Sequence, residues 1–285
     1  MARIISGKEL AETLKSSLTL KVRELEAVYG RPPHLAVILA NDDAGSASYV
    51  AGKARASAEI GIRNTTIKLD TSVTPQQLLE LVGRLNADDE VDGILVQLPL
   101  PSHIDPNTVI AAIAREKDVD GFHPLNTAAL WLKQPCIPPC TPKGIIRMLK
   151  SAGVGIEGRR AVVVGRSNIV GLPLSKMLLD ENATVTTAHS RTADLKAVTL
   201  QAEILVVATG HPHLITADMV SEGAVVVDVG VNRDPATGRL CGDVDFEAVA
   251  AKASVITPVP GGVGPMTIYS LMENTVECFE RRMRK

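Results

Sequence analysis

Near its middle the chain reads RAVVVGRSNIVGLP over residues 160–173, and this stretch decides the fold class. The unbroken apolar run predicts a strand buried on both faces, and Gly165, Ser167 and Gly171 predict a tight turn that opens into a helix. Such a turn lets the backbone approach a pyrophosphate, and the following helix offers unpaired N–H groups. Because the spacing differs from Gly-x-Gly-x-x-Gly, a strand–turn–helix without a ligand stays an alternative.

Predicted strands and helices alternate on both sides of this stretch. Short apolar runs predict strands at residues 34–40, 65–69, 93–98, 161–164, 184–187, 204–208, 224–229 and 254–256. Apolar residues at three- and four-residue steps predict a helix at residues 8–28, and the helix predicted beyond residue 265 also has an apolar face. Further helices are predicted at residues 46–59, 75–85, 105–114 and 145–152, and after each of the strands that begin at 161, 184 and 204. This alternation predicts an α/β fold whose parallel strands are joined by crossover helices.

The length of the chain, 285 residues, exceeds that of most single domains, and the alternation restarts after a proline-rich loop near residues 140–144. We therefore expect two domains. Residues 1–140 are predicted to form an N-terminal three-layer α/β catalytic and substrate domain, which the C-terminal helix at 267–285 completes. Residues 141–266 are predicted to form a Rossmann-type dinucleotide-binding domain. The substrate is expected in a cleft between the two.

The composition excludes several classes of protein. A formal net charge of −2 and 2% aromatic residues provide neither the basic surface nor the stacking platforms that nucleic-acid binding needs. No apolar run approaches the roughly 18 residues of a membrane span, and the N-terminus lacks the features of a secretory signal. Four scattered cysteines suit a reducing cytoplasm, and no second Cys or His pair follows Cys136 and Cys140 at ligand spacing. We expect a soluble cytoplasmic protein without a metal site.

The end of the second dinucleotide-domain strand predicts the choice of cofactor. NAD-binding domains carry an acidic residue there, which accepts hydrogen bonds from the ribose 2′-hydroxyl. This chain has Ser190 and Arg191 instead, and Arg166 on the first turn is a possible second cation for a 2′-phosphate. The sequence therefore favours NADP over NAD. The alternative is that Arg191 is a solvated charge and that Asp194 replaces the missing acid.

Polar side chains in the first half form a candidate catalytic group. Tyr49 and Lys53 are four residues apart and share one face of a predicted helix, with Ser46 one turn earlier. This helix begins past the carboxyl end of a parallel strand, where α/β sheets place their ligands. On the residues alone, a solvated Tyr–Lys pair stays an alternative.

Two further polar residues should open on the same edge of the sheet. Gln97 ends the strand predicted at 93–98, and Asp120 lies in the loop beyond the next helix. A carboxylate before a glycine commonly caps a turn, and this is the alternative for Asp120. With the helix residues, these two side chains predict one polar cluster at the end of the sheet.

Six segments resemble the signatures of the bifunctional methylenetetrahydrofolate dehydrogenase/cyclohydrolase family. They follow the family's order and extend over nearly the whole chain, which makes them more specific than any single fingerprint. Departures are small: Asn41 and Ala44 stand where Gly and Pro are common, and Ala188 where Cys is common. The segments are SxxYxxxK at 46–53, VQLPLP at 96–101, KDVDG at 117–121, CTPKG at 140–144, GRSNIVG at 165–171 and TPVPGGVGPMT at 257–267.

The resemblance implies a cytoplasmic, homodimeric enzyme of one-carbon metabolism and purine biosynthesis with tetrahydrofolate derivatives as substrates and NADP as cofactor. It would oxidise 5,10-methylenetetrahydrofolate and then hydrolyse the methenyl product to 10-formyltetrahydrofolate. Hydride transfer needs no general base, whereas hydrolysis needs proton transfers. Lys53 would be the acid/base, Gln97 would hold it, Tyr49 would contact the pterin, and Asp120 would accept two of its N–H groups.

The resemblance also implies two sets of binding residues. Those implied for folate are Ser46, Tyr49, Gln97, Leu98, Asp120, Gly262 and Pro265. Those implied for the cofactor are Thr141, Gly165, Arg166, Ser167, Ile169, Val170, Ser190, Arg191, Thr209, Gly210 and Val231.

Two other functions are alternatives to a bifunctional folate enzyme. A monofunctional dehydrogenase of another small substrate shares the two-domain plan, and a non-catalytic NADP-binding sensor would keep the glycine turn but have no use for Gln97 or Lys53.

Overall fold

A computed structural model describes residues 2–234 and 236–284, apart from the side chain of Ala44. Its strands are β1 (Arg3–Ile4), β2 (His34–Leu39), β3 (Arg63–Lys68), β4 (Gly93–Gln97), β5 (Arg160–Val164), β6 (Thr184–Ala188), β7 (Ile204–Val207), β8 (Val225–Asp228), β9 (Asn232–Arg233), β10 (Leu240–Cys241) and β11 (Val255–Ile256). Its α-helices are α1 (Gly7–Tyr29), α2 (Ala44–Ile60), α3 (Pro75–Ala87), α4 (Pro106–Ala112), α5 (Pro124–Trp131), α6 (Cys140–Ser151), α7 (Gly171–Asp180), α8 (Leu195–Thr199), α9 (Phe246–Ala250) and α10 (Val263–Met283).

The chain divides into two compact units. The first contains Met1–Glu12 and Thr141–Thr267, and the second contains Thr13–Cys140 and Ile268–Lys285. We call them the dinucleotide unit and the catalytic unit. The expected division placed residues 1–12 in the catalytic domain. They belong instead to the dinucleotide unit, because β1 pairs in parallel with β11.

The dinucleotide unit is built on a six-stranded sheet with the order β1-β11-β8-β7-β5-β6, in which every pair is parallel. β7 and the part of β5 after exposed Arg160 are apolar and buried, as expected for strands covered on both faces. The order reverses between these two strands, since β6 lies on one side of β5 and β7 on the other. Open α/β sheets bind ligands beyond the carboxyl ends of the strands at such a reversal.

The catalytic unit contains a three-stranded parallel sheet with the order β3-β2-β4. β2 is buried along its whole length, and β4 is buried up to its last residue, Gln97, which is partly exposed. α3 contributes Leu78 and Val82 to the core against this sheet. Thr74 caps α3 in a capping box with Gln77.

Several element predictions are wrong in detail. The helix predicted after β7 is only a single 3-10 turn, Ala217–Met219, and α6 begins at Cys140 rather than at residue 145. α5 was not predicted; Pro124 starts it, and the ring nitrogen Nδ1 of His123 accepts a hydrogen bond from the Leu125 N–H, which caps it. None of the described helices has the length and apolar character needed to cross a membrane.

Candidate active site

The loop before α2 is held in place by its own polar side chains. Asp43 caps the helix, because its carboxylate accepts the Ser46 N–H at 2.6 Å. Asn41 Nδ2 donates to the Pro99 carbonyl at 2.7 Å, and Asn41 Oδ1 accepts the Asp43 N–H. Asn41, one of the departures from the family pattern, therefore ties this loop to the segment that follows β4.

The structure brings together Lys53 on α2 and Gln97 at the end of β4. Lys53 Nζ donates to Gln97 Oε1 at 2.8 Å, and Gln97 Nε2 donates to the Leu98 carbonyl at 2.7 Å. The second bond orients the amide so that its oxygen faces the lysine. Both side chains are only partly buried. Lys53 is therefore held by a neutral acceptor rather than neutralised by a carboxylate.

The segment KDVDG uses most of its polar groups for structure. Buried Lys117 donates to the carbonyls of Leu85, Asn86 and Asp88 at 2.6–2.9 Å, which satisfies the last turn of α3. Burial lowers the pKa of Lys117. This lysine anchors a helix end and takes no part in the cluster around Lys53.

Asp118, rather than Asp120, caps the turn in this segment. Its carboxylate accepts the N–H groups of Gly121, Phe122 and His123 at 2.8–3.2 Å, and it also accepts Asn126 Nδ2. Burial raises the pKa of Asp118, and these hydrogen bonds oppose the rise. The alternative that Asp120 caps the turn is therefore wrong.

Asp120 keeps its carboxylate available. Within the described residues its hydrogen-bond partner is the Cys140 thiol, with Sγ 4.0 Å from Oδ1. Burial raises the pKa of Asp120 to about 6; the Lys53 ammonium lowers it, and the nearby Asp118 carboxylate adds to the rise. The charge of Lys53 therefore acts on Asp120 inside one unit, as expected if both belong to one site.

The remaining folate candidates of the catalytic unit lie on the same two segments. Ser46 is buried in the first turn of α2, whereas Tyr49 is 39% exposed. Partial burial raises the pKa of the Tyr49 phenol. Leu98 directly follows Gln97 and precedes a cis peptide bond to Pro99. The phenol and the lysine are one turn apart on α2, as the spacing predicts.

The turn after β5 is as tight as its glycines suggest. Gly165 has a φ of +130°, and a Cβ there would lie 2.2 Å from the Ala208 carbonyl oxygen at the end of β7. A Cβ on Gly171 would lie 2.2 Å from the Gly165 carbonyl oxygen. Ser167 replaces the middle glycine of the usual fingerprint, and its Oγ accepts the N–H groups of Val170 and Gly171 at 3.2 and 3.3 Å. The serine hydroxyl thus stabilises the turn into α7.

Exposed cations and hydroxyls flank this turn, as a phosphate-binding donor set requires. Arg166, Ser190 and Arg191 are all exposed, and the last two follow β6. Asp194 accepts the Ala197 N–H at 2.9 Å as the cap of α8. The carboxylate considered above as a replacement for the missing acid is therefore engaged in a helix cap, which leaves Ser190 and Arg191 as the polar groups at the end of β6.

An unpredicted carboxylate holds the loop after β7. Asp243 Oδ2 accepts the Thr209 N–H, the Thr209 hydroxyl and the Gly210 N–H at 2.6–3.0 Å, and its Oδ1 accepts Asn232 Nδ2 at 2.8 Å. The backbone N–H of Asp243 donates to buried Asp228 at 3.0 Å. In the sequence this carboxylate is marked only by its position in a Gly–Asp pair directly after β10. Nothing in its spacing joins it to Thr209, 34 residues earlier.

The other predicted binding residues lie in the dinucleotide unit or at its boundary. Thr141 Oγ1 is 3.0 Å from Thr267 Oγ1. Gly262 is buried, and Pro265 lies in the first turn of α10. Ile169 and Val231 are exposed apolar residues, 37% and 46% respectively. Val170 is the residue before α7.

Comparison with known proteins identifies the family. The family model of the tetrahydrofolate dehydrogenase/cyclohydrolase catalytic domain matches residues 5–120, and that of the NAD(P)-binding domain matches residues 139–283. The bifunctional protein FolD of Geobacillus thermodenitrificans is 55% identical to this chain over 277 residues, covering 97% of both.

Two solved structures match the whole fold. The bifunctional FolD methylenetetrahydrofolate dehydrogenase/cyclohydrolase of Campylobacter jejuni superposes with a TM-score of 0.96 at 47% identity, covering 99% of this chain and 100% of that one. The Trypanosoma brucei FolD, complexed with NADP cofactor and inhibitor, gives a TM-score of 0.96 at 40% identity, covering 100% and 99%. The predicted two-domain α/β fold with a Rossmann-like NAD(P)-binding domain is confirmed. The chain belongs to the tetrahydrofolate dehydrogenase/cyclohydrolase family.

Proposed function

We propose that Lys53, Gln97 and Asp120 carry the folate chemistry of a bifunctional enzyme. The enzyme oxidises 5,10-methylenetetrahydrofolate to the 5,10-methenyl form with NADP, and hydrolyses that product to 10-formyltetrahydrofolate. The observation that carries the proposal is the 2.8 Å contact of Lys53 with Gln97, in the unit where the lysine also lowers the pKa of Asp120. A packing helix without chemistry has no need to hold its lysine on a neutral amide.

The two reactions make different demands on these residues. NADP supplies the acceptor of the hydride, so the protein has only to position the folate for the first reaction. Hydrolysis requires proton transfers to and from the nitrogen and oxygen atoms bonded to the reacting carbon. Lys53 carries these protons, and Gln97 fixes the position of the lysine. Tyr49 contacts the pterin, and ionised Asp120 accepts two of its N–H groups.

The activity itself has a direct test. The purified chain with methylenetetrahydrofolate and NADP should produce NADPH, and methenyltetrahydrofolate added alone should be hydrolysed. The two other functions give different results. NADPH formation without methenyl hydrolysis would indicate a monofunctional dehydrogenase. Binding of NADP by calorimetry, with neither reaction, would indicate a sensor.

The cofactor proposal rests on the turn after β5 and the end of β6. Gly165, Ser167 and the first turn of α7 would hold the pyrophosphate, and Ser190 and Arg191, with Arg166, would hold the 2′-phosphate. Asp243 would position Thr209 and Gly210 near the nicotinamide. The Trypanosoma brucei relative, whose structure contains NADP, supports this cofactor.

Replacing Arg191 by Ala should lower kcat/KM for NADP by about tenfold or more, because a charge-assisted bond to phosphate contributes about 1.5–3 kcal/mol. The kcat/KM for NAD should change little, since NAD has no 2′-phosphate. Steady-state kinetics with both cofactors give the comparison. Arg239→Ala, another exposed arginine of the same unit, is the control. A native preference for NAD, or an equal loss with both cofactors, would refute the assignment.

The KM for methylenetetrahydrofolate should rise as the pH falls through about 6, the value to which burial raises the pKa of Asp120. Below it the carboxyl is protonated and cannot accept both pterin N–H groups, so KM should rise about tenfold per pH unit. Dehydrogenase kinetics at a series of pH values would measure this. The KM for NADP should stay flat, and in Asp120→Asn the folate KM should be high and independent of pH. A folate KM of the native enzyme that stays flat would contradict the role.

The same pKa predicts a cost to stability. A carboxyl whose pKa is higher in the folded state than its usual 3.8 contributes stability at pH values below 3.8. This contribution is lost as the pH rises through about 6, the folded-state pKa of Asp120. Asp120→Asn should therefore make the protein more stable at neutral pH while it weakens folate binding.

We also propose that the protein is a cytoplasmic homodimer. Its four cysteines are few and scattered along 285 residues, which supports a reducing compartment. The dimer is expected from the family, through the dinucleotide unit, and light scattering should give twice the mass of the chain; the mass of a single chain would refute it.

A further inference from the structure

Three side chains of metal-ligand type meet in the dinucleotide unit, away from the turn after β5. They are His213, in the loop after β7, Asp234, just beyond β9, and Cys241, in β10. Their ligand atoms, one imidazole nitrogen, one carboxylate oxygen and one sulfur, all lie within 4.8 Å of one another. Among the described residues this is the one group of three or more His, Cys, Asp or Glu with that property.

Backbone hydrogen bonds hold Asp234 and His213, and the pairing of β10 with β9 holds Cys241. Asp234 Oδ1 accepts the N–H groups of Ala236 and Thr237 at 2.7 and 2.9 Å, so Oδ2 is left to face His213 Nε2 at 3.2 Å. The backbone N–H of His213 donates to the Gly242 carbonyl at 3.2 Å, next to Cys241. His213 adopts a positive φ of 52°, which is uncommon for a residue with a side chain. The imidazole is thereby directed at the β9–β10 hairpin.

We propose that His213, Asp234 and Cys241 form a zinc-binding site. A mixture of thiolate, imidazole and carboxylate ligands suits Zn²⁺, whereas Mg²⁺ and Ca²⁺ prefer oxygen alone. Three protein ligands leave one position of the tetrahedron for water, and the exposed side of His213 gives the ion a path to the site. On binding, the Cys241 thiol becomes a thiolate and releases its proton to water, and the His213–Asp234 hydrogen bond is replaced by two bonds to the metal.

The zinc site would join the segments that Asp243 already joins. His213 is three residues after Gly210, Asp234 is two after Asn232, and Cys241 is two before Asp243. Gly210 and Asn232 are both hydrogen-bonded to the Asp243 carboxylate. Zinc would therefore add a second link between the loop after β7 and the β9–β10 hairpin, and it should raise the melting temperature of the folded chain.

Cobalt substitution tests the site directly. The full chain, treated with a chelator and dialysed, is titrated with Co²⁺ and then with Zn²⁺ under reducing conditions. We expect a thiolate-to-cobalt charge-transfer band that saturates at one ion per chain and disappears when zinc displaces cobalt. Cys241→Ser should abolish the band, and His213→Ala should weaken zinc binding by about tenfold or more.

Matched variants separate this site from adventitious binding. Cys136→Ser removes another partly buried thiol, and His103→Ala removes a histidine of the catalytic unit; neither should change the band or the zinc-induced rise in melting temperature. Far-UV circular dichroism checks that each variant is folded. The proposal is overturned if the native chain gives no thiolate–cobalt band, or if the band and the zinc affinity survive in either Cys241→Ser or His213→Ala.

Discussion

Lys53→Met should lower kcat for hydrolysis of methenyltetrahydrofolate by about a hundredfold or more. Acid–base catalysis by a positioned side chain contributes typically about 10²–10⁴-fold, and methionine keeps the length of the lysine without its proton. The structure places the lysine nitrogen 2.8 Å from Gln97, so its position is fixed before substrate arrives. In the proposed role, loss of the amine removes the proton carrier rather than a packing contact.

The dehydrogenase activity of the same variant should fall much less. Hydride transfer leaves a cation stabilised by two nitrogens and releases no proton in that step, so the role proposed for Lys53 in this reaction is positioning alone. The methenyl intermediate should therefore accumulate in Lys53→Met when methylenetetrahydrofolate and NADP are supplied. The ultraviolet absorbance of the methenyl intermediate is followed together with the formation of NADPH. The two signals report the ratio of the dehydrogenase rate to the hydrolysis rate in a single reaction.

Arg55→Met is the matched control, because it removes a long cationic side chain from an exposed position of the same helix. It should leave both activities near the native level. Undiminished hydrolysis in Lys53→Met would rule out the acid–base role. An equal loss of both activities would instead show that the lysine only positions the folate.

Asp92→Ala should lower the free energy of unfolding of the catalytic unit by about 3 kcal/mol or more. Asp92 is completely buried, and it accepts both terminal nitrogens of Arg31 at 2.6 and 3.0 Å, Arg282 at 2.6 Å and the His34 N–H at 2.9 Å. The hydrogen bond to Asp92 raises the pKa of Arg31 further. Removing one partner of a buried ion-pair group leaves the opposing charges without their buried counter-ion, which costs about 3–5 kcal/mol.

The loss should extend to the packing of α10 within this unit. Arg31 lies over the ring of Phe279 on α10 at 4.9 Å, and Tyr29, the last residue of α1, packs edge-on against the same ring. Arg31 and Arg282, which both bind Asp92, therefore join α10 to the end of α1. Urea unfolding followed by circular dichroism gives the change in midpoint. Asp89→Ala is the control: its side chain is fully exposed and 3.6 Å from Arg282, while its backbone carbonyl is retained. A midpoint shift no larger than that of the control would contradict the prediction.

Regular periodicity made much of the fold predictable. β5, β7 and α1 follow from apolar runs and from three- and four-residue spacing. Lys53 and Gln97 could be assigned to one cluster because the carboxyl ends of parallel strands lie at one edge of a sheet. β1 has two exposed residues and no pattern of its own; only its pairing with β11 makes it a strand. Short elements such as α5 depend on local capping, which periodicity does not report.

The roles of individual carboxylates were harder to predict than the strands. Asp118 and Asp120 stand two residues apart in one segment, and only three-dimensional hydrogen bonding separates the turn cap from the available acid. Two other carboxylates bind partners far away in the sequence. Asp243 binds Thr209, 34 residues earlier, and Asp92 binds Arg282, 190 residues later. Burial and distant contacts, rather than residue type, decide such roles.

The grouping of both chain ends with distant segments has a consequence for synthesis on the ribosome. β1 emerges first, but its partner β11 is made only at residues 255–256, and the Arg282 that pairs with Asp92 comes almost last. Domains usually fold one after another as the chain emerges, N-terminal domain first, and contacts of long sequence separation form slowly. Here neither unit can be completed until nearly the whole chain is available. Premature termination before α10 therefore leaves no finished catalytic unit.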